Sequence, residues 1–159
     1  MATPTTPTGP QFCVQGDVEL AIGGVQVLAQ LLDKDGDGQA DPSMVAAVIG
    51  RASAEVAAAV GNAINISSLA VPYPDALVFH TAQIAAFYAW NQGSSEIIVP
   101  DAAKQMHQDS LRFLDQVARR ERSLGVATPP ASALEVKQID TDNGGTLGRD
   151  TRDSLKGFW

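Results

Sequence analysis

The stretch "DPSMVAAVIGRASAEVAAAVG", residues 41–61, leaves the chain little choice of fold. Asp41 is a good N-cap, Pro42 falls at the first helical position where its missing N–H costs nothing, and Gly61 ends the run. Between them Val45, Val48, Ile49, Ala52, Val56 and Val60 recur at helical spacing, so one stripe is apolar and has to be covered. The rest of the chain offers helices as the cover.

A short helix is expected from about Gly16 or Asp17, with Asp17 and Glu19 at its positive end and Gly23 and Gly24 as its stop. "VQVLAQLL" (25–32) makes a second short helix with Val25, Leu28 and Leu32 on one face. Pro72 and Pro74 forbid a helix across "NAINISSLAVPYP" (62–74), which reads as loop. A long helix follows over 75–91, with Leu77, Thr81, Ile84, Ala85 and Tyr88 on one side. After an extended connector at 94–101, Asp101 caps a last helix over 102–124 that buries Met106, Phe113, Leu114 and Val117. Gly125 closes it behind "ARRERSLG", whose cations complement the helix dipole. Aromatics are only 6% of the chain and alanine is abundant, which favours helices packed through small residues over a β-sandwich. The expected class is all-α: a compact helical bundle of two short leading helices and three long ones, with an extended C-terminal tail. Residues 1–10 read as a flexible arm, 11–125 as the helical domain, and 126–159 as a Pro-rich linker and tail.

Composition removes several function classes. With 45% apolar and 18% charged residues the chain is globular in character, and its net charge of −7 makes it a poor general binder of nucleic acid. An acidic surface can still line a passage through which DNA slides without sticking. Cys13 is the only cysteine, so neither an internal disulfide nor a Cys-based zinc site is available, and it reads as a small buried hydrophobe. "MATPTTPTGP" has no basic or apolar segment of the signal-peptide kind, and no apolar run approaches about 20 residues, so no membrane association is expected. Catalysis is not expected either. His80 and His107 fall on separate helices and in no metal-ligand pair, His80 near the core stripe and His107 facing outward. Nucleophile-elbow and phosphate-cradling glycine motifs are lacking, and Arg112, Arg119, Arg120 and Arg122 read as a solvated helix end.

One motif carries chemistry. "LLDKDGDGQADP" (31–42) lays onto the calcium loop of an EF-hand, with Asp33, Asp35 and Asp37 at loop positions 1, 3 and 5 and a glycine, Gly38, at 6. Gln39 offers its carbonyl at 7 and Asp41 its carboxylate at 9. At position 12, where a bidentate Glu belongs, the chain has Met44. The set Asp33, Asp35, Asp37, Gln39 and Asp41 is therefore read as a weak Ca2+ site at most, or as a turn joining two helices, and no other cofactor is expected. "IDTDNGGTLGRD" (139–150) echoes the loop faintly and reads as a turn-rich stretch.

The order of features resembles a known family. "FCVQGDVELAIGG", then "LLDKDGDGQADPSMVAAVIGRASAEVAAAVG", then the "RFLDQVARRERSLG" helix is similar to the Mu-like phage and prophage family of head–tail connector (adaptor, or head-completion) proteins, over about residues 11–125. The chain departs where the family's second long helix leads into an Arg-Tyr and a Leu-Pro pair; "GNAINISSLAVPYP" stands there instead. The resemblance implies a virion neck protein, made in the bacterial host cytoplasm and assembled as a homo-oligomeric ring, twelve-fold by the same resemblance. Its implied partners are the portal protein and a tail-side stopper or tail-terminator protein, with DNA passing through the channel. In the tail, Arg149, Arg152, Leu155, Lys156, Phe158 and Trp159 combine cations and aromatic anchors as a docking segment does, and are read as partner-binding. Two other readings stand beside this one: a small calcium-binding interaction module, and a regulatory or anti-restriction protein with a single cytosolic partner. The incomplete loop sets a first test. Calorimetric titration with calcium should give a dissociation constant of about 0.1–1 mM, in the range of weak extracellular modules, and tight binding would show that Met44 is compensated.

Overall fold

The computed structural model describes residues 9–93 and 98–124. Five α-helices follow one another: α1 (Gln15–Ile22), α2 (Val25–Leu32), α3 (Pro42–Val60), α4 (Asp75–Gln92) and α5 (Asp101–Ala118), with a 3-10 turn at Ile66–Ser68 between α3 and α4. The all-α expectation holds, and among the described residues there is no strand. Most of the expected arm and all of the 126–159 tail, including Arg149, Arg152, Leu155, Lys156, Phe158 and Trp159, lie outside the described residues.

α1 begins one residue earlier than its sequence suggests. The Asp17 carboxylate accepts the Val14 N–H (2.9 Å), half of a capping box; valine has no side-chain acceptor to return the bond. Just upstream, Phe12 and Cys13 turn inward. Phe12 is fully buried, meets Tyr73 edge-on at 5.2 Å, and donates its N–H to Ser53 Oγ of α3 (3.2 Å). Desolvation, with the negative charge of Asp17, pushes the Cys13 thiol up to about 12, which makes it the inert buried group its sequence suggested.

α1 and α2 meet at an elbow that only glycine makes cheaply. Gly23 and Gly24 take φ of 101° and 128°, and the Gly24 N–H reaches back to the Glu19 carbonyl at 2.7 Å. In α3 the apolar stripe is buried as expected, from Val45 through Val48, Ile49, Ala52 and Val56 to Val60. α3 also matches a membrane span in length and composition, with a mean hydropathy of 1.4 over 18 residues, which run length alone had excluded. In this fold its stripe is instead covered by α1, α4 and α5, and Arg51 and Glu55 interrupt its middle.

α4 is the hub, in contact with α1, α2, α3 and α5. Its burial is wider than the single side its sequence suggested, because Ala82, Ala86 and Ala89 are covered along with Leu77, Thr81, Ile84 and Ala85. The Thr81 hydroxyl is satisfied by the Leu77 carbonyl one turn back (2.7 Å). α5 runs shorter than expected, ending at Ala118 rather than reaching Gly125. Arg120 takes the left-handed conformation (φ 61°), so its N–H bonds the Val117 carbonyl and the Glu121 N–H bonds that of Gln116, which closes the helix. Leu114 and Val117 are buried as expected, while Met106 and Phe113 are half-buried.

The Phe12–Ser53 bond generates a prediction. Ser53→Ala removes little volume but leaves a buried N–H without its acceptor, so urea unfolding should show a loss of about 1–3 kcal/mol. An unchanged midpoint would mean that the entry segment is not held by this bond.

Candidate functional site

The acidic loop folds through its own amides. Asp33 accepts from the N–H groups of Gly36 (2.6 Å) and Gly38 (2.8 Å), Asp35 from Asp37 (3.2 Å), and Asp37 from Gln39 (2.8 Å). Gly36 and Gly38 make the tight turns, with φ of 80° and 81°. Of the four carboxylates that the sequence placed together the structure gathers three: carboxylate oxygens of Asp33, Asp35 and Asp37 lie within 4.8 Å of one another. Asp41 is a correction. Its carboxylate makes no cap bond to α3 but turns back to accept the Lys34 N–H (3.1 Å), while its carbonyl takes the first N–H groups of the helix. Gln39 contributes to the loop through its N–H, to Asp37. Met44 packs half-buried against the core, where it offers no oxygen.

The charges inside the loop are uneven. The amides of Gly38 and Gly36 hold the Asp33 carboxyl below its usual value. The Asp37 amide pulls Asp35 the same way, yet the charges of Asp37 and Asp41, with partial desolvation, outweigh it and leave Asp35 above the usual carboxylate value. Three carboxylates at this spacing can hold a divalent ion by relieving that repulsion, with water completing the shell.

Two apolar surfaces are the features that sequence reasoning missed. At the α1–α2 elbow Leu20 is 85% exposed and Val25 60% exposed, and both line a groove with Gly16, Glu19, Gly23 and Gly24. On α4, Phe79 is 57% exposed and leans edge-on against His80, their ring centres 5.2 Å apart. His80 stacks on Phe113 of α5 (4.0 Å), and the Arg122 guanidinium lies over the Phe113 ring, 5.5 Å from its centre. The result is one continuous surface of two phenylalanines, an imidazole and a cation. The signals were present in the sequence. Leu20 falls off the α1 stripe of Val18 and Ile22, and Phe79 falls off the α4 stripe of Leu77, Thr81 and Ile84.

Polar side chains lock the long helices beneath these surfaces. His80 Nδ1 lies 3.1 Å from Ser110 Oγ, which donates to Gln83 Oε1 at 2.6 Å. Two turns further along α4, the Tyr88 hydroxyl donates to Glu55, and the Arg51 guanidinium stands 4.1 Å over the Tyr88 ring. His107, expected to face outward, is half-buried and stacked on Phe87 at 4.1 Å, and its Nε2 has no partner among the described residues. The cause is α5's register, which turns residue 107 toward α4. Arg112 and Arg119 pair with Asp109 and Asp115 at the surface, as a solvated helix end does.

Among the described residues, then, the chain is an all-α domain whose distinctive features are exposed surfaces and an acidic loop. Family comparison supplies the rest: the model of the family described as Bacteriophage Mu, Gp36 matches residues 12–140, and the chain belongs to that family of phage proteins. The match runs past residue 126, where the sequence sets the start of the linker. Neither a curated protein nor a solved structure matches the chain.

The two histidines fix the sign of a pH effect. Burial pulls His107 below its ordinary value of 6.5 against the opposing charge of Glu55, and burial followed by the charge of Arg122 does the same to His80. Both bind a proton less readily in the folded chain than in the unfolded one, so the unfolded chain binds more protons and stability falls as pH drops through about 6.5. Chemical denaturation between pH 7.5 and 5.5 should show this decline, and His107→Phe, which keeps the stack on Phe87, should flatten it. An identical slope in the variant would assign the effect elsewhere.

Proposed function

We propose that this phage protein is the head-to-tail connector, or adaptor, subunit of the virion neck. Copies form a ring beneath the portal, extend the DNA channel and give the tail its platform. Membership of the Mu Gp36 family over residues 12–140 is the observation that carries this reading. The exposed apolar groups support it, since a chain that leaves Leu20, Val25 and Phe79 in water has surfaces suited to partners. Its net charge of −7 suits a wall past which DNA moves without being held. Function in such a part resides in faces: one toward each neighbouring copy, one toward the portal and one toward the tail. Segment 149–159, with Phe158 and Trp159 beside Arg149, Arg152 and Lys156, is the proposed portal-facing anchor, since hot spots favour aromatics and Arg in desolvated pockets.

The calcium-module reading has the Asp33, Asp35 and Asp37 trio in its favour and Met44 against it. Solution size separates the two, because a calcium module changes shape with the ion and a connector is indifferent to it. The direct test is co-sedimentation of the full chain with purified portal rings. The wild-type chain should pellet with the rings at any calcium level. Phe158→Ala with Trp159→Ala should weaken binding about a hundredfold or more, as the loss of two anchors does. A wild-type chain that stays in the supernatant would rule the connector reading out.

A further inference from the structure

The elbow groove and the Phe79 surface differ in the charges that frame them. Glu19 lines the groove and Asp17 stands at the start of the same helix; neither has a cation bonded to it among the described residues. The Phe79 surface carries a cation instead. Arg122 covers Phe113 and makes no ion pair among the described residues, and Arg120 is exposed two positions before it. Arg120 is also the one non-glycine described with positive φ (61°), a conformation that disfavours side chains and persists only where something else favours it. The two surfaces share no residue. One is an apolar groove with Glu19 at its rim, the other an aromatic projection with Arg122 beside it.

We propose that these surfaces are the two halves of one head-to-tail contact, in which the α1–α2 elbow of one copy receives the Phe79 surface of a second copy. The inference rests on the ring reading above and assigns the faces that close it. A ring needs a heterologous interface, because a self-complementary patch ends at a two-fold dimer. Complementary shape and charge on different elements of one chain meet that need. Leu20 and Val25, with no side chain at Gly16, Gly23 or Gly24 to fill the space between them, leave room for a phenylalanine ring. Glu19 then faces Arg122 across the rim, and the pairing fixes the direction of the contact.

Cysteine cross-linking tests this on the full chain. Cys13 is 3% exposed and its thiol stays protonated, so it is a silent background for introduced thiols. Leu20→Cys and Phe79→Cys are made in separate chains and mildly oxidised, alone and mixed, with portal rings present. The expected result is a covalent dimer from the mixture and none from either variant alone. Charge reversal gives a second reading. Glu19→Arg and Arg122→Glu should each weaken self-association at least about tenfold, and copies carrying both changes should recover it, since close interfacial charge pairs couple on that scale. Thermal melts of the variants confirm that each remains folded. A dimer from Leu20→Cys alone would indicate a two-fold contact and overturn the proposal. If wild-type copies bind portal rings but no mixed dimer forms, the assignment of faces falls while the connector reading stands. If wild-type copies fail to bind the rings and no mixed dimer forms, both fall.

Discussion

The packing of the helices depends on α4 being buried over a wide arc of its surface. Four helices pack onto it, and they can do so because Ala82, Ala85, Ala86 and Ala89 keep its cross-section small. Protein interiors are packed as densely as organic crystals, so this narrowness is a constraint and not merely a preference. Enlarging one of these alanines would push a neighbouring helix outward, at a cost of about 1–3 kcal/mol. Leu77 and Ile84 supply the bulk that the alanines withhold, and both are fully buried. The hub also needs its polar groups satisfied, which Thr81 achieves by bonding back to Leu77.

From that hub the outer features take their positions. Ser110, Gln83 and His80 tie α5 to α4, and the pairing of Tyr88 with Glu55 ties α4 to α3. These half-buried bonds set the rotation of each helix as well as its distance, so Phe79 is left facing outward beside the His80–Phe113 stack. At the other extreme of the chain, Phe12 and Cys13 pin the start of α1 in the core, and the glycine pair then turns α2 away. Leu20 and Val25 are left on the outside of that turn. Exposed apolar groups on a well-packed scaffold suit the assembly role proposed above. The acidic loop, closed by its own amides, connects α2 to α3.

The sequence made much of this legible, and the gaps have physical causes. The span of α2 was readable to the residue, and that of α3 within one, because Gly24, Pro42 and Gly61 mark boundaries and the apolar spacing is regular. α5 misled because Gly125 is the obvious stop, while the chain ends the helix with arginine in a conformation that glycine normally takes. Asp41 misled in the opposite sense: it has the ideal side chain for a cap, but the loop's Lys34 amide competes for that carboxylate. The clustering of Asp33, Asp35 and Asp37 was legible from spacing alone, since the three are close in sequence. The elbow and Phe79 surfaces were not, because a sequence gives helix faces but not which of them neighbours will cover. His107 was misjudged for the same reason.

Native-state hydrogen exchange of α4 tests the central claim that this helix organises the rest. Its buried turns, from Thr81 to Ala89, should exchange only through global unfolding, with an opening free energy equal to that from urea denaturation. The elbow and the acidic loop should open at much lower free energies. Slower exchange in α1 or α3 than in those turns of α4 would contradict the account and place the organising element elsewhere.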